Sequence, residues 1–157
     1  MADKGGTGIE DERDDCKEVG VSFALRSDNL VPEEITKTLG VRPSWAFRKG
    51  DRYKSVSGIL EQPWGVWAVD SKDAVKSREP EAHAKYILDL LEPRADQIRR
   101  LIGGKDLHVS MRIWWETYGS TTGYSLKSET VRRLASLCQE LNFTFIGTPC
   151  EEEQDEE

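Results

Sequence analysis

The sequence is poor in the residues that most often carry catalysis and ligation. It has only two histidines (His83 and His108), three cysteines and two methionines in 157 residues. Cys16, Cys138 and Cys150 form no C-x-x-C pair and are odd in number, which argues against a disulfide framework and for a reduced, cytoplasmic protein. With neither H-E-x-x-H nor clustered Cys and His, no metal site is expected. No apolar run approaches a membrane span, and residues 1–6 lack the basic and apolar regions of a signal peptide, so neither insertion nor ordinary secretion is expected.

Nucleophile motifs are also missing. There is no G-x-S-x-G elbow, and Gly103-Gly104-Lys105 follows a helical pattern, which marks a helix stop and not a phosphate loop. His108 shares a strand face with Ser110, but side chains two apart on a strand stand about 7 Å from each other, too far for direct proton transfer. Both histidines are therefore read as surface residues. Glu33, Glu34, Glu79 and Glu81 sit where helix starts favour acids. No catalytic residue and no cofactor is assigned, and an enzyme ranks behind a binding domain.

The charge is unevenly distributed. Residues 1–18 hold seven acids against three bases, and residues 148–157 hold six acids and no base. The formal net charge of −7 therefore leaves residues 19–147 at +3. Self-repelling acidic blocks stay solvated, so the reading is a single domain over 19–147 between disordered acidic tails at 1–18 and 148–157. A chain of this length can bury an adequate core without metal or disulfide support.

Val19, Val21, Phe23 and Leu25 alternate with small or polar residues, the pattern of a half-buried strand. Ser27-Asp28-Asn29 makes a turn. Pro32 suits a first helical position, Ile35 and Leu39 share one helix face, and Gly40 followed by Pro43 stops the helix. A basic aromatic stretch at 42–54 leads to a loop over 55–62. A strand over 64–70 is apolar on both faces, with Trp64, Val66 and Ala68 on one and Gly65, Trp67 and Val69 on the other. Helical spacing then runs from Pro80 to Gly104, divided at Pro93.

Leu107, Val109, Met111, Ile113 and Trp115 point inward from a third strand, which leaves His108, Ser110, Arg112 and Trp114 on its other side. Tyr124-Ser125-Leu126 is read as a short hairpin partner. Ser128 is the expected N-cap of a last helix whose stripe is Val131, Leu134, Ala135, Cys138 and Leu141, and 143–146 is the closing strand. The fold expected is α+β, a mostly antiparallel sheet with helices packed on one face, of ferredoxin-like character. The similarity of 21–26 to 109–114 suggests duplicated strand-helix-strand units.

The order of Glu34-Ile35-Thr36, Leu39-Gly40-Val41, Pro43-Ser44, Lys49-Gly50-Asp51, the strand from Trp64 and Gly123-Tyr124-Ser125-Leu126 resembles a family of small bacterial proteins catalogued as domain of unknown function 4279. Val31 stands where the family would have an acid before Pro32, a departure that bears on the helix cap. The resemblance implies a cytoplasmic bacterial origin, and it supplies no catalytic residues.

The strongest functional signal is the sheet face turned away from the core, expected to carry Ser22, Arg26, Trp67, Arg112, Trp114 and Thr144, with Trp45, Lys49 and Arg52 bordering it. Arginine beside tryptophan on an open sheet can form a protein interface, stack planar groups or grip an anion. The first reading is a non-enzymatic protein-interaction module, an immunity-like blocker of a toxin being one version. The second is a pocket for a small anionic or nucleotide-like ligand lined by Trp45, Lys49, Arg52 and Trp67. An RNA-binding sheet ranks lower because the RNA-recognition signature is missing and the tails are acidic. A homodimer is a further option.

Overall fold

The computed structural model describes residues 16–104, 106–118 and 123–147. In chain order the elements are β1 (Cys16–Ser27), α1 (Pro32–Leu39), β2 (Trp45–Phe47), β3 (Arg52–Ser55), β4 (Gly58–Glu61), β5 (Gly65–Asp70), α2 (Pro80–Leu91), a 3-10 turn (Glu92–Arg94), α3 (Ala95–Gly104), β6 (His108–Thr117), α4 (Ser128–Ala135) and β7 (Glu140–Gly147). Five strands form one sheet in the order β2-β5-β1-β6-β7, and β3 pairs with β4 as a separate hairpin. All pairings in the large sheet are antiparallel except β6 with β7.

The alternation in β1 and β6 sets which side is inside. Val21, Phe23 and Leu25 meet Ile113, Met111 and Val109 across the ladder, and all six are fully buried. Ile35 and Leu39 of α1, Ala84, Ile87, Leu88 and Leu91 of α2, Ile98 of α3 and Leu134 of α4 close over them in one core. The fold is the α+β arrangement expected, with every helix on the same face of the sheet. Fully burying such a side chain is worth about 1.5–3 kcal/mol, so this layer holds the sheet flat against its helices.

Local chemistry explains the helix ends. Pro32 occupies the first turn of α1, and Val31 before it contributes no side-chain cap, consistent with the missing acid there. Gly40 takes the left-handed conformation (φ 64°) and its N–H donates to Thr36 O at 2.8 Å. Pro93 falls in the 3-10 turn between α2 and α3. The next residue, Arg94, donates to Leu39 O and Leu90 O, satisfying carbonyls at the ends of two helices at once.

Several local expectations are corrected. Residues 55–62 are not a plain loop: β3 and β4 form a hairpin that turns at Val56 and Ser57, with Gly58 at φ 124° opening β4. Trp45–Phe47 adds an edge strand that three residues of pattern do not reveal. Tyr124-Ser125-Leu126 is not a strand, and its tyrosine packs against Trp115 with ring centroids 5.3 Å apart. Ser128 begins α4 but does not cap it. No side chain caps it; its start is tied to α2, where the Glu81 carboxylate accepts the Lys127 N–H and the Thr130 hydroxyl. That helix ends at Ala135, so Leu141 belongs to β7 and not to the helical stripe. β1 begins at Cys16, inside the segment read as an acidic tail, whereas the tail readings for 1–15 and 148–157 fall outside the described residues.

Candidate functional site

The face of the sheet away from the helices is built by strand parity. Directly paired residues point the same way, so Ser22, Ala24 and Arg26 of β1 share it with Asp70, Ala68 and Val66 of β5 and with Arg112, Ser110 and His108 of β6. β2 adds Trp45 opposite Ala68 and Phe47 opposite Val66, while β7 adds Asn142 opposite Arg112 and Thr144 opposite Trp114. Small side chains (Gly20, Ser22, Ala24, Ala68, Ser110) run down the middle. Trp45 and Phe47, with rings 5.9 Å apart, stand on one side and Trp114 and Arg112 on the other.

The position of Trp114 depends on Gly20. A Cβ at residue 20 would lie 2.6 Å from the Trp114 indole, so the ring rests on bare backbone. Lys72 covers it from the other side, its Nζ 5.6 Å from the ring centroid and 3.0 Å from Glu18 Oε2. The hydrogen bond to Glu18 holds the Lys72 ammonium above its usual value, keeping a cation over the ring.

Charges on this face are unequally matched. Lys17 pairs with Glu116 at 2.8 Å, Lys72 with Glu18, and His108 Nε2 approaches Glu140 Oε2 to 3.3 Å. That last approach is too far off-axis for a hydrogen bond. Arg112 is exposed, and among the described residues neither it nor Arg26 has an ion pair; the Arg26 Cζ lies 5.2 Å from the Trp64 ring centroid. Arg26 and Arg112 are thus cations of the face with no ion pair among the described residues, and Asp70, the acid of the face without one, accepts the Lys72 N–H at 2.7 Å.

Five of the six residues expected on the open face are there: Ser22, Arg26, Arg112, Trp114 and Thr144. Trp67 is not. It points to the helix side, is fully buried, and donates its indole N–H to Thr36 Oγ1 at 3.0 Å. Trp45 is on the face and 41% exposed. Lys49 and Arg52 lie at the base of the β3–β4 hairpin, 3.4 Å from Asp28 and 3.6 Å from Glu61 respectively. Trp45, Lys49, Arg52 and Trp67 therefore do not line one pocket: Trp45 and Trp67 lie on opposite faces of the sheet.

His83 is also corrected, being 1% exposed and not a surface residue. Its Nε2 lies 2.6 Å from Ser77 O, a carbonyl that can only accept, so Nε2 carries the proton and Nδ1 is free to accept from Ser71 Oγ at 2.7 Å. Ser71 Oγ in turn accepts the Val21 N–H at 2.8 Å. A serine on a histidine resembles a nucleophile and its base, but both are sealed in the core and the serine oxygen is already engaged by β1. The Cys138 thiol is no better placed, since burial pushes its pKa up. Among the described residues no group of three or more potential metal ligands occurs, and no helix is long and apolar enough to cross a membrane.

A family model, domain of unknown function (DUF4279), matches residues 16–146. The chain belongs to that family. In this DUF4279 chain the matched span runs from the first residue of β1 to the penultimate residue of β7, so it takes in the whole sheet and both walls of the open face. No curated protein and no solved structure matches the chain.

Sequence reasoning missed Phe47 and Lys72 on the face. Lys72 lies in a polar connection whose direction no periodicity reveals. Phe47 belongs to a strand too short to alternate visibly.

Proposed function

We propose that this chain is a protein-interaction module whose open sheet face docks a partner presenting carboxylates. The observation that carries the reading is the charge state of the face. Its acids Glu18, Glu116 and Glu140 each have a base beside them and Asp70 accepts the Lys72 N–H, whereas among the described residues the Arg26 and Arg112 guanidiniums have no carboxylate partner. Arginine and tryptophan flanking a floor of small side chains match the composition of interface hot spots, and a guanidinium takes a carboxylate through two parallel hydrogen bonds. The sequence carries no RNA-recognition signature, which favours a protein over RNA.

Arg112→Ala and Trp114→Ala are expected to leave the unfolding midpoint nearly unchanged and to weaken the partner by about 2 kcal/mol or more each, roughly thirtyfold. Affinity capture from the native host with wild type and both variants, followed by calorimetry on the captured protein, measures this. A partner retained equally by all three removes the proposal.

A further inference from the structure

A separate cleft opens at the end of the sheet where β1 leaves and β6 enters. It is built by one close approach. Gly65 packs against the turn after β1 so tightly that a Cβ there would sit 2.6 Å from Leu30 O. With β5 held against that turn, Trp64 falls on the same parity as Val66 and Arg26, and the Arg26 guanidinium settles over the Trp64 ring. The C-terminal turn of α3 brings Arg100 and Leu101 to the opposite wall.

The cleft has a volume of about 740 Å³, within the range of about 300–1,000 Å³ usual for small-molecule sites. Its floor is apolar, with Leu30 and Ile35 buried and Leu101 and Leu107 half-buried. The half-buried polar side chains are Arg26, His108 and the Ser27 hydroxyl, none of them an anion. Exposed groups form the rim: Arg100 together with Asp28, Glu34 and Asp106. Neither Arg26 nor Arg100 has an ion-pair partner among the described residues, while Asp28 is engaged by Lys49 at 3.4 Å.

This layering selects a ligand. A guanidinium below the surface beside an exposed indole suits one carboxylate attached to a flat apolar body: the acid pairs with Arg26 and the body lies against Trp64 and Leu30. Three carboxylates around the mouth disfavour a second or third negative charge, which argues against nucleotides and other polyanions. We propose that the cleft binds a small aromatic monocarboxylate, with Arg26 as its anion partner and Trp64 as its stacking platform. The cleft shares Arg26 with the docking face, but the docking residues Arg112 and Trp114 do not line it.

The test is ligand-observed NMR and calorimetry on the full chain with benzoate, phenylacetate and indole-3-acetate, using benzyl alcohol as the neutral control and ATP as the polyanion. At least one of the three carboxylates is expected to bind and to shift the Trp64 indole N–H resonance. Arg26→Gln and Trp64→Leu should each weaken that binding about tenfold or more, while Arg112→Gln leaves it unchanged. The Trp64 resonance in the wild-type chain reports the site even if a variant fails to fold. Failure of all three acids to bind overturns the proposal, as does equal binding of benzyl alcohol, tighter binding of ATP, or binding that moves other tryptophans and not Trp64. Because Arg112 and Trp114 lie outside the cleft, their variants separate the two readings: loss of partner capture on Arg112→Ala or Trp114→Ala leaves carboxylate binding untouched.

Discussion

Trp67→Ala is expected to cost about 3–5 kcal/mol of folding stability, while Trp114→Ala costs about 1 kcal/mol or less. The two tryptophans lie on β5 and β6, the strands flanking β1 in one sheet, and differ in which side they face. Trp67 is fully buried among the helices and its indole N–H is held by Thr36, so truncation opens a cavity and leaves the threonine hydroxyl without its donor. Trp114 rests on Gly20 beneath Lys72, half-exposed, and its removal uncovers small residues that water can reach. Because a domain of this size is held by about 5–15 kcal/mol in total, the first variant should be largely unfolded at modest denaturant concentrations. Urea unfolding followed by far-UV circular dichroism separates the two, and equal midpoints would show that Trp67 is not a core residue.

Ser71→Ala should rank next, at about 2–4 kcal/mol, although it removes a single oxygen. That oxygen accepts the Val21 N–H and its hydrogen goes to His83 Nδ1, so alanine orphans two buried groups at once. His83→Leu instead takes away the acceptor of the Ser71 hydroxyl. In a double-mutant cycle the two losses should fall well short of adding, since after one change the other removes a group already stranded. Additive losses would mean that the serine and histidine act independently. The same serine should stay unlabelled by fluorophosphonates, because its oxygen lies beneath the surface and is already hydrogen-bonded.

The elements that were legible in advance are those where burial on one side imposes a period. β1 and β6 alternate cleanly because one face meets helices and the other does not, and their open-face residues could be assigned together. β5 could not be assigned this way. Val66 and Ala68 are buried on the open side beside Trp45 and Phe47 while Trp67 and Val69 are buried under helices, so both parities look like core and neither marks the outside. The β3–β4 hairpin was missed for the opposite reason: nearly every residue in it is exposed, leaving no buried stripe to read. His83 was misplaced because its environment depends on Ser71 and Ser77, which reach it through a loop that carries no period. The cleft gathers the turn after β1, the start of α1, the residue before β5, the end of α3 and the start of β6, and no local pattern links all five places.

The strand order also dictates when the chain can fold. β1 is translated first but sits in the middle, its two neighbours being β5 and β6, so Leu25 waits for Trp67 on one flank and Val109 on the other. Until β6 has left the ribosome, one edge of the earliest strand is an open row of backbone donors and acceptors, with Val21, Phe23 and Leu25 uncovered along it. Nascent chains stalled before residue 108 should therefore be sensitive to protease and bound by chaperones, and those released beyond β6 should become resistant. Pulse proteolysis of stalled ribosome complexes would reveal that step, and resistance acquired before β6 emerges would show that β1 finds shelter without it.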